Sequence, residues 1–156
     1  MEGDINKIHK LLLKNRKTIA VAESCTGGIL SNLLTKTPGS SRYFILGIVA
    51  YSNTVKEGIL KIPHRIITKK GAVSKEVAAG LAHSARRLAG VDFGIGITGI
   101  AGPKGATPRK PVGTVFIAID GKRRKLCRRF SLKGSRTKIK NKAALKALKL
   151  LGTLIQ

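Results

Sequence analysis

The chain has 156 residues, and its 31 Lys and Arg against 7 Asp and Glu give a formal net charge of +24. Hydrophobic residues make up 42% and aromatic residues 4%, a composition that argues against disorder and predicts one domain over residues 1–156 with an aliphatic core. No run approaches the roughly 20 apolar residues of a membrane span and no signal peptide is recognisable, so we expect a cytoplasmic protein with no membrane partner.

The first half of the chain alternates predicted helices and strands. Asp4 is a candidate N-cap for an amphipathic helix that ends near Lys14. Pro38 and Gly39 break the second helix. We predict strands over residues 18–23 and 43–51, and helices over 27–37, 53–60 and the segment that leads to residue 70.

The second half predicts a helix capped by Ser74 and a final helix capped by Ser135. Asp120-Gly121 is a hairpin signal between the last two strands. The predicted elements are a helix over 74–90, a strand over 92–98, a loop over 99–111, strands over 113–119 and 125–131, and a helix to about residue 151. This order predicts an α/β fold, a three-layer α/β/α sandwich with a mixed, mostly parallel sheet and a C-terminal β-hairpin followed by a helix.

The sequence has no cofactor-binding or metal-binding motif in the structural context that such a motif requires. Residues 94–99, GIGITG, match the dinucleotide fingerprint formally, but a proline-rich loop follows where the fingerprint needs a helix. The three histidines share no ligand spacing, and neither cysteine belongs to a CxxC pair. We therefore expect neither a cofactor nor a metal, and two free thiols.

The segment AESCTGG, residues 22–28, joins a predicted strand to a predicted helix through two glycines. This arrangement puts Ser24, Cys25 and Thr26 at the carboxyl edge of the sheet, where open α/β sheets bind ligands. Backbone N–H groups at such a turn can hold an anion or an oxyanion. The alternative is that Thr26 only caps the helix and the glycines only permit the turn.

A second polar cluster follows the next strand and ends at Lys56, one turn into a predicted helix. A lysine that is partly desolvated and surrounded by cations has a lowered pKa, which a lysine general base requires. The alternative is a solvated surface lysine.

The last helix has two kinds of cation. Lys138, Lys142, Lys146 and Lys149 fall in one 80° sector at 100° per residue, opposite the apolar residues. Arg136 and Lys140 instead project toward the apolar side in the first turns, where the helix dipole favours anions. This pair indicates a phosphate site, unless both side chains extend past a small-residue face to solvent.

Five sequence blocks together resemble one family. AESCTGG, VAYSNTVK, GAVSKEVA, ITGIAGPKG and KPVGTVFIAI, in this order and spacing, are similar to the CinA C-terminal domain family over about residues 5–154. The family includes nicotinamide mononucleotide amidohydrolase, so the resemblance implies hydrolysis of that carboxamide to nicotinate mononucleotide and ammonia. It also implies the stand-alone form, which lacks the amino-terminal molybdopterin-binding-like domain of longer members, and a homodimer.

By position, the resemblance implies that Ser24 is the nucleophile and Lys56 the base. The predicted catalytic residues are Ser24, Lys56, Tyr51 and Thr98. The predicted substrate-binding residues are Glu23, Thr26, Gly27, Gly28, Asn53, Gly99, Arg136 and Lys140. Cys25 is a competing nucleophile, but adjacent residues at a strand end point in opposite directions, so we expect only one to face the substrate.

Tyr51 has two possible roles: it orients Lys56 or stacks on the pyridine ring. The chain departs from the family at Gly105-Ala106, where a glycine pair is usual, and at Lys133-Gly134-Ser135, where relatives commonly have PGD. The first departure affects the loop near the substrate, and the second favours phosphate binding because it removes an acid and adds a cation.

Charge alone supports a different class of function. After Asp120 the chain has no acid, while 13 Lys and Arg fall between Lys122 and Lys149. A charge of this sign and density can bind nucleic acid without sequence preference. The alternative to the enzyme is therefore a non-catalytic nucleic-acid-binding or partner-binding protein that retains the fold.

Overall fold

The structure of the chain, a computed structural model, describes residues 2–155. Five strands form one sheet in the order β2-β1-β3-β4-β5. The strands are β1 (Ile19–Glu23), β2 (Phe44–Val49), β3 (Phe93–Gly99), β4 (Thr114–Gly121) and β5 (Lys125–Ser131). The helices are α1 (Glu2–Lys14), α2 (Ile29–Thr35), α3 (Asn53–Gly58), α4 (His64–Lys70), α5 (Lys75–Ala89) and α6 (Arg136–Gly152), with a 3₁₀ turn at Ser40–Arg42.

The sheet is mixed. Strand β1 pairs in parallel with β2 and β3, whereas β4 is antiparallel to both β3 and β5. Four strands therefore run in one direction and β4 runs against them. The carboxyl ends of β1, β2 and β3 meet at one edge, where ligands bind in open α/β sheets.

Helices cover both faces of the sheet, so the predicted three-layer fold is confirmed. Strand β1 is buried along its whole length, because its alternate side chains enter two different cores. Val21 joins the core formed with α1, α2 and α6, and Ala20 joins the core formed with α3, α4 and α5. Within residues 2–155, no helix combines the length and apolarity that a bilayer-crossing helix needs.

The glycines of the GIGITG segment serve helix packing. Gly94 and Gly96 lie in β3, and a Cβ atom added at either would collide with α5, at the carbonyl oxygen of Ala82 or Ala78. The absence of side chains lets α5 lie directly on the strand. This contact explains the glycine pattern without a dinucleotide.

The hairpin prediction was wrong in its position. Asp120 and Gly121 are the last residues of β4, and the turn comprises residues 122–124. Asp120 is held in the strand because its buried carboxylate lies 2.7 Å from Arg86 Nε and 2.9 Å from Lys125 Nζ. Burial alone would raise the pKa of Asp120, but its hydrogen bonds, which include one to His83, together lower it.

Two helix starts also differ from the predictions. Helix α1 already includes Glu2, so Asp4 lies inside the helix and is not its N-cap; its carboxylate is 3.7 Å from Lys149 Nζ. Helix α2 begins at Ile29, two residues after the predicted Gly27. The physical reason for this second shift lies in the candidate site.

Candidate active site

A cavity of about 290 Å³ opens at the carboxyl edge of β1 and β3. Its volume is near the lower end of the range of about 300–1,000 Å³ that small-molecule sites occupy. Seven of the twelve predicted site residues line it: Ser24, Tyr51, Asn53, Lys56, Thr98, Gly99 and Arg136. Five do not: Glu23, Thr26, Gly27, Gly28 and Lys140.

Ser24 and Lys56 meet at the base of this cavity. Ser24 follows β1 directly, and Lys56 lies on α3, whose N-cap is Ser52. The Lys56 side chain is only 2% exposed, and its Nζ lies 3.0 Å from Ser24 Oγ. The alternative of a solvated surface lysine is therefore wrong.

Burial shifts the ionisation of Lys56 toward its neutral amine. Burial lowers the pKa of Lys56, and no carboxylate among the described residues lies within ion-pair distance of its Nζ. Nζ also donates hydrogen bonds to the carbonyl oxygens of Ala50, at 2.8 Å, and Tyr51, at 3.2 Å. Nζ donates to Ser24 Oγ as well; after loss of one proton the amine keeps two N–H groups for the carbonyls, and its lone pair can accept the Ser24 hydroxyl proton. This is the arrangement of a nucleophile and its general base.

Cys25 differs from Ser24 in its protonation. Both residues line the cavity, but only Ser24 has its side chain in contact with Lys56. The Cys25 side chain is 6% exposed and packs in the core on the α1, α2 and α6 side. Burial raises the pKa of the Cys25 thiol to about 12, so the reactive thiolate is nearly absent near neutral pH.

Arg136 and Tyr51 form the rim of the cavity. Arg136 is the first residue of α6; its Nη1 donates to the carbonyl oxygen of Gly102 at 2.6 Å and its Nη2 to the Tyr51 hydroxyl at 2.9 Å. Tyr51 is 61% exposed. The Tyr51 carbonyl oxygen accepts a hydrogen bond from Lys56, whereas its ring is open to solvent. The backbone of Tyr51 can therefore orient Lys56 while its ring stacks on the pyridine.

Glu23 has a different position from the one predicted. Its carboxylate is fully buried and accepts hydrogen bonds from the N–H groups of Gly28, Leu30 and Ser31 and from the Ser31 hydroxyl, at 2.7–3.2 Å. It therefore caps α2 and occupies the helix N-terminus that we expected to bind a substrate anion. The prediction that Glu23 contacts substrate is wrong, and its bonds fix the turn that carries Ser24.

Replacing Glu23 by glutamine is expected to lower the free energy of unfolding by about 2 kcal/mol, because the charged acceptor of four donors is lost and an amide N–H₂ opposes one of them. Urea denaturation measures this change. The matched control is Glu76→Gln, whose half-exposed carboxylate is 3.9 Å from Lys70 Nζ and should cost less than about 0.5 kcal/mol. Equal effects of the two substitutions would contradict the capping role.

The turn after Ser24 leaves few donors for a ligand. Gly27 N–H binds the Ser24 carbonyl and Gly28 N–H binds Glu23, so neither glycine contacts the cavity; both have positive φ, +61° and +95°. Thr26 is fully buried and does not cap α2. No backbone oxygen of the described residues accepts from Cys25 N–H, the donor that directly follows the nucleophile.

Lys140 also lies outside the cavity, contrary to the prediction. Its Nζ would lie 3.4 Å from a Cβ atom added at Gly27, in the turn after Ser24. The first turn of α6 contributes only Arg136 to the cavity. Sequence reasoning missed Lys104, an exposed residue of the loop after β3 that lines the same rim.

Thr98 and Gly99 end β3 at the cavity wall. The Thr98 hydroxyl donates to the Ala72 carbonyl at 2.8 Å, so its proton is engaged with the segment before α5. An added Cβ at Gly99 would lie 2.9 Å from Thr114 O, so this glycine permits the close approach of β4. Other lining residues that received no predicted role are Ala72, Val73, Ile100, Ala101, Gly102 and Gly105, which belong to the blocks GAVSKEVA and ITGIAGPKG.

Among the residues that the structure describes, no three His, Cys, Asp or Glu side chains group in a way that could hold a metal ion. Cys25 and Cys127 are both free thiols.

Comparisons with known proteins agree with one another. The profile of the CinA C-terminal domain matches residues 3–155. A CinA-like protein of Geotalea uraniireducens is 49% identical over 123 residues, which are 79% of this chain and 29% of that protein. One of Desulfotalea psychrophila is 45% identical over 144 residues, 92% of this chain and 35% of that protein. The chain thus spans about a third of the length of these relatives.

Solved structures match over nearly their whole length. The crystal structure of the competence/damage inducible protein CihA from Agrobacterium tumefaciens has a TM-score of 0.92 and 33% identity, and the match covers 98% of this chain and 96% of that one. Profile, relatives and structure therefore give one answer: the chain belongs to the CinA C-terminal domain family.

Proposed function

We propose that this chain hydrolyses the carboxamide of nicotinamide mononucleotide to nicotinate mononucleotide and ammonia. The observation that carries the proposal is the 3.0 Å approach of a buried lysine amine to Ser24 Oγ inside a cavity with an arginine at its rim. The serine and lysine supply acyl-transfer chemistry, and the arginine supplies a site for the phosphate of the nucleotide. The resemblance of the sequence blocks to the amidohydrolases of the family supports the choice of substrate.

Acylation begins when neutral Lys56 removes the proton of Ser24 Oγ, which attacks the carboxamide carbon. The carbonyl π electrons move to the oxygen and give a tetrahedral oxyanion. Lys56 then returns its proton to the amide nitrogen, the C–N bond breaks, and ammonia leaves. The product is an ester between Ser24 and the nicotinoyl group.

Deacylation repeats these steps with water. Lys56 takes a proton from the water as its oxygen attacks the ester carbon. Collapse of the second oxyanion breaks the bond to Ser24 Oγ, which recovers its proton from Lys56. Each turnover consumes one water, and the carboxylic acid product ionises in solution.

The oxyanion needs a donor beside Ser24. Cys25 N–H is the candidate, because Cys25 lines the cavity and the residue after a nucleophile commonly supplies such a donor. The Thr98 hydroxyl, also considered for this role, already donates to Ala72 O and would have to rotate away from it. One oxyanion donor is typically worth roughly 10²- to 10³-fold in rate.

The phosphate is assigned to Arg136. Its guanidinium lies at the N-terminus of the 17-residue helix α6, where free N–H groups and the helix dipole also favour an anion. Lys104 on the opposite loop supplies a second cation, and the previously expected Lys140 does not reach the cavity. This rim predicts a preference for the nucleotide over free nicotinamide.

The Arg136→Ala substitution is expected to raise KM for nicotinamide mononucleotide about 10- to 100-fold, because a charge-assisted contact to the phosphate is lost. Activity on nicotinamide riboside, which lacks the phosphate, should change little. Steady-state ammonia release on both substrates measures the difference, with Lys138→Ala, an exposed cation on the same helix, as control. Equal losses on the two substrates would rule out Arg136 as the phosphate contact.

Ammonia release from nicotinamide mononucleotide, with nicotinate mononucleotide identified as product, tests the function itself. The Ser24→Ala protein is the control for contaminating amidases. Absence of ammonia from a folded wild-type protein would leave the non-catalytic alternative.

A further inference from the structure

The strongest unexplained feature of the molecule is the uneven distribution of its charge. The six acidic residues whose side chains the structure describes are all engaged in ion pairs or hydrogen bonds, and five of them precede Asp120. The acid-free remainder of the chain forms β5, the connection after it and α6. Six cations there define what we call the β5–α6 face: Arg128, Lys133, Lys138, Lys142, Lys146 and Lys149.

Contacts between the two elements make this face one continuous surface. Lys146 Nζ lies 5.6 Å from the centroid of the Phe130 ring on β5, and Lys142 Nζ donates to the Lys133 carbonyl at 2.7 Å. Arg128 lies on the same side of β5 as Phe130, because strand residues two apart share a face. All six cations are exposed, and Lys133, Lys142, Lys146 and Lys149 line a groove of about 460 Å³ between the strand and the helix.

The face has almost no acid to neutralise it. Among the six acids whose side chains the structure describes, Asp4 is the one within ion-pair distance of these cations, 3.7 Å from Lys149. The four helix lysines extend over eleven residue steps, from Lys138 to Lys149, or about 16 Å of helix at 1.5 Å per residue. A row of this length matches an extended polyanion and exceeds what one phosphate group needs.

We propose that the β5–α6 face binds the sugar-phosphate backbone of a nucleic acid without sequence preference. About 16 Å of duplex carries roughly ten phosphate charges, enough to meet every cation of the face. Five of the six cations are lysines, which contact phosphate as point charges and carry little base-reading geometry. This inference does not rest on the proposed amidase, whose cavity contains none of the six residues.

A membrane surface fits these observations less well. A helix that lies in a bilayer interface needs a free apolar side, whereas the apolar side of α6, with Ile139, Ala143 and Leu148, is buried in the core. An acidic protein partner fits less well too, because protein interfaces use large apolar anchors. The large hydrophobic residues exposed among the described residues are Ile45, Val49, Tyr51, Ile59, Leu88 and Val112, and none lies on this face.

The test compares two triple variants of equal charge. Arg128→Gln, Lys142→Gln and Lys146→Gln change the face, and Arg65→Gln, Lys69→Gln and Arg87→Gln change exposed cations on α4 and α5. Each triple lowers the formal charge from +24 by 3, to +21. Fluorescence anisotropy with a labelled DNA duplex of about 20 base pairs, between about 50 and 200 mM KCl, gives the affinity and its salt dependence.

The face triple is expected to weaken duplex binding at least about tenfold and to reduce the slope of log K against log salt by about 3, while the control triple changes affinity less than about threefold. Both should keep wild-type thermal stability and any ammonia release. Equal weakening in the two triples would overturn the proposal, because net charge alone would then explain binding. Unchanged duplex binding, with lost binding to anionic lipid vesicles, would assign the face to a membrane.

Discussion

Replacing Ser24 by alanine is expected to lower kcat/KM for ammonia release by about 10⁴-fold or more, whereas Cys25→Ala should retain activity within about threefold. The reason is the position of the base: Lys56 Nζ contacts Ser24 Oγ at 3.0 Å, while burial keeps the Cys25 thiol protonated with a pKa of about 12. Removal of a covalent nucleophile leaves only the contributions of binding and the oxyanion donors. Both residues line the cavity, so a different effect of the two substitutions would reflect the reactivity of the side chain and not merely its location.

The measurement is steady-state ammonia release at saturating nucleotide, with circular dichroism and urea denaturation of each variant. Cys25→Ala removes a buried side chain and should reduce stability, so its activity must be compared below its unfolding transition. Rapid quenching adds a second readout, since the proposed mechanism predicts a covalent nicotinoyl ester in the wild type and none in Ser24→Ala. Retained activity in Ser24→Ala together with its loss in Cys25→Ala would make the thiol the nucleophile.

The meeting of Ser24 with Lys56 could be predicted from sequence because it depends on topology. Both residues follow the carboxyl ends of parallel strands that are neighbours in the sheet, and such ends meet at one edge. The residues around Lys56 in the sequence did not show whether its side chain is buried or solvated, because exposed lysines are common in so basic a chain. The resemblance to the family favoured the buried reading, and the structure has Lys56 2% exposed.

Glu23 could not be placed correctly from sequence because its partners come later in the chain and depend on side-chain direction. As the last residue of β1 it could face the cavity or α2, and the strand pattern does not distinguish these. Its four bonds to residues 28–31 explain why α2 starts at Ile29. The contact of Arg136 with Tyr51 was hidden for a similar reason, since 85 residues separate them.

Lys140 shows the limit of helical periodicity. The helical wheel put it toward the apolar side of α6, and the residue is half-buried. Periodicity gives a direction around the helix axis, but the neighbour that α6 meets there is the Gly27 turn, not the cavity. One turn earlier, Arg136 extends past the end of the sheet and reaches the rim.

The second large effect is expected from Lys56→Met, which should lower kcat by about 10²- to 10⁴-fold, the usual contribution of a general base. Lys56→Arg should lose as much activity although it keeps a positive charge, because an arginine does not give up its proton at accessible pH. In the wild type, kcat/KM should rise with pH as Lys56 loses its proton, through a pKa that burial lowers from the ordinary 10.5.

The same ionisation affects stability with a definite sign. Between the lowered pKa of folded Lys56 and about 10.5, the unfolded chain binds more protons than the folded chain, so the free energy of unfolding increases as pH rises through this window. Below the window, the folded protein has a buried charge and this stability is lost. In Lys56→Met the contribution disappears, and the difference between wild type and variant should therefore change with pH.

Urea denaturation at a series of pH values, for wild type, Lys56→Met and the control Lys104→Met, measures this difference. Lys104 lines the same cavity but is exposed, so its variant should follow the wild-type pH dependence. If the free energy of unfolding and kcat/KM of Lys56→Met changed with pH as those of the wild type do, Lys56 would be protonated over the whole pH range and could not be the base. A pH-dependent gap in stability that coincides with the rise in kcat/KM would identify one group, the Lys56 amine, as the source of both.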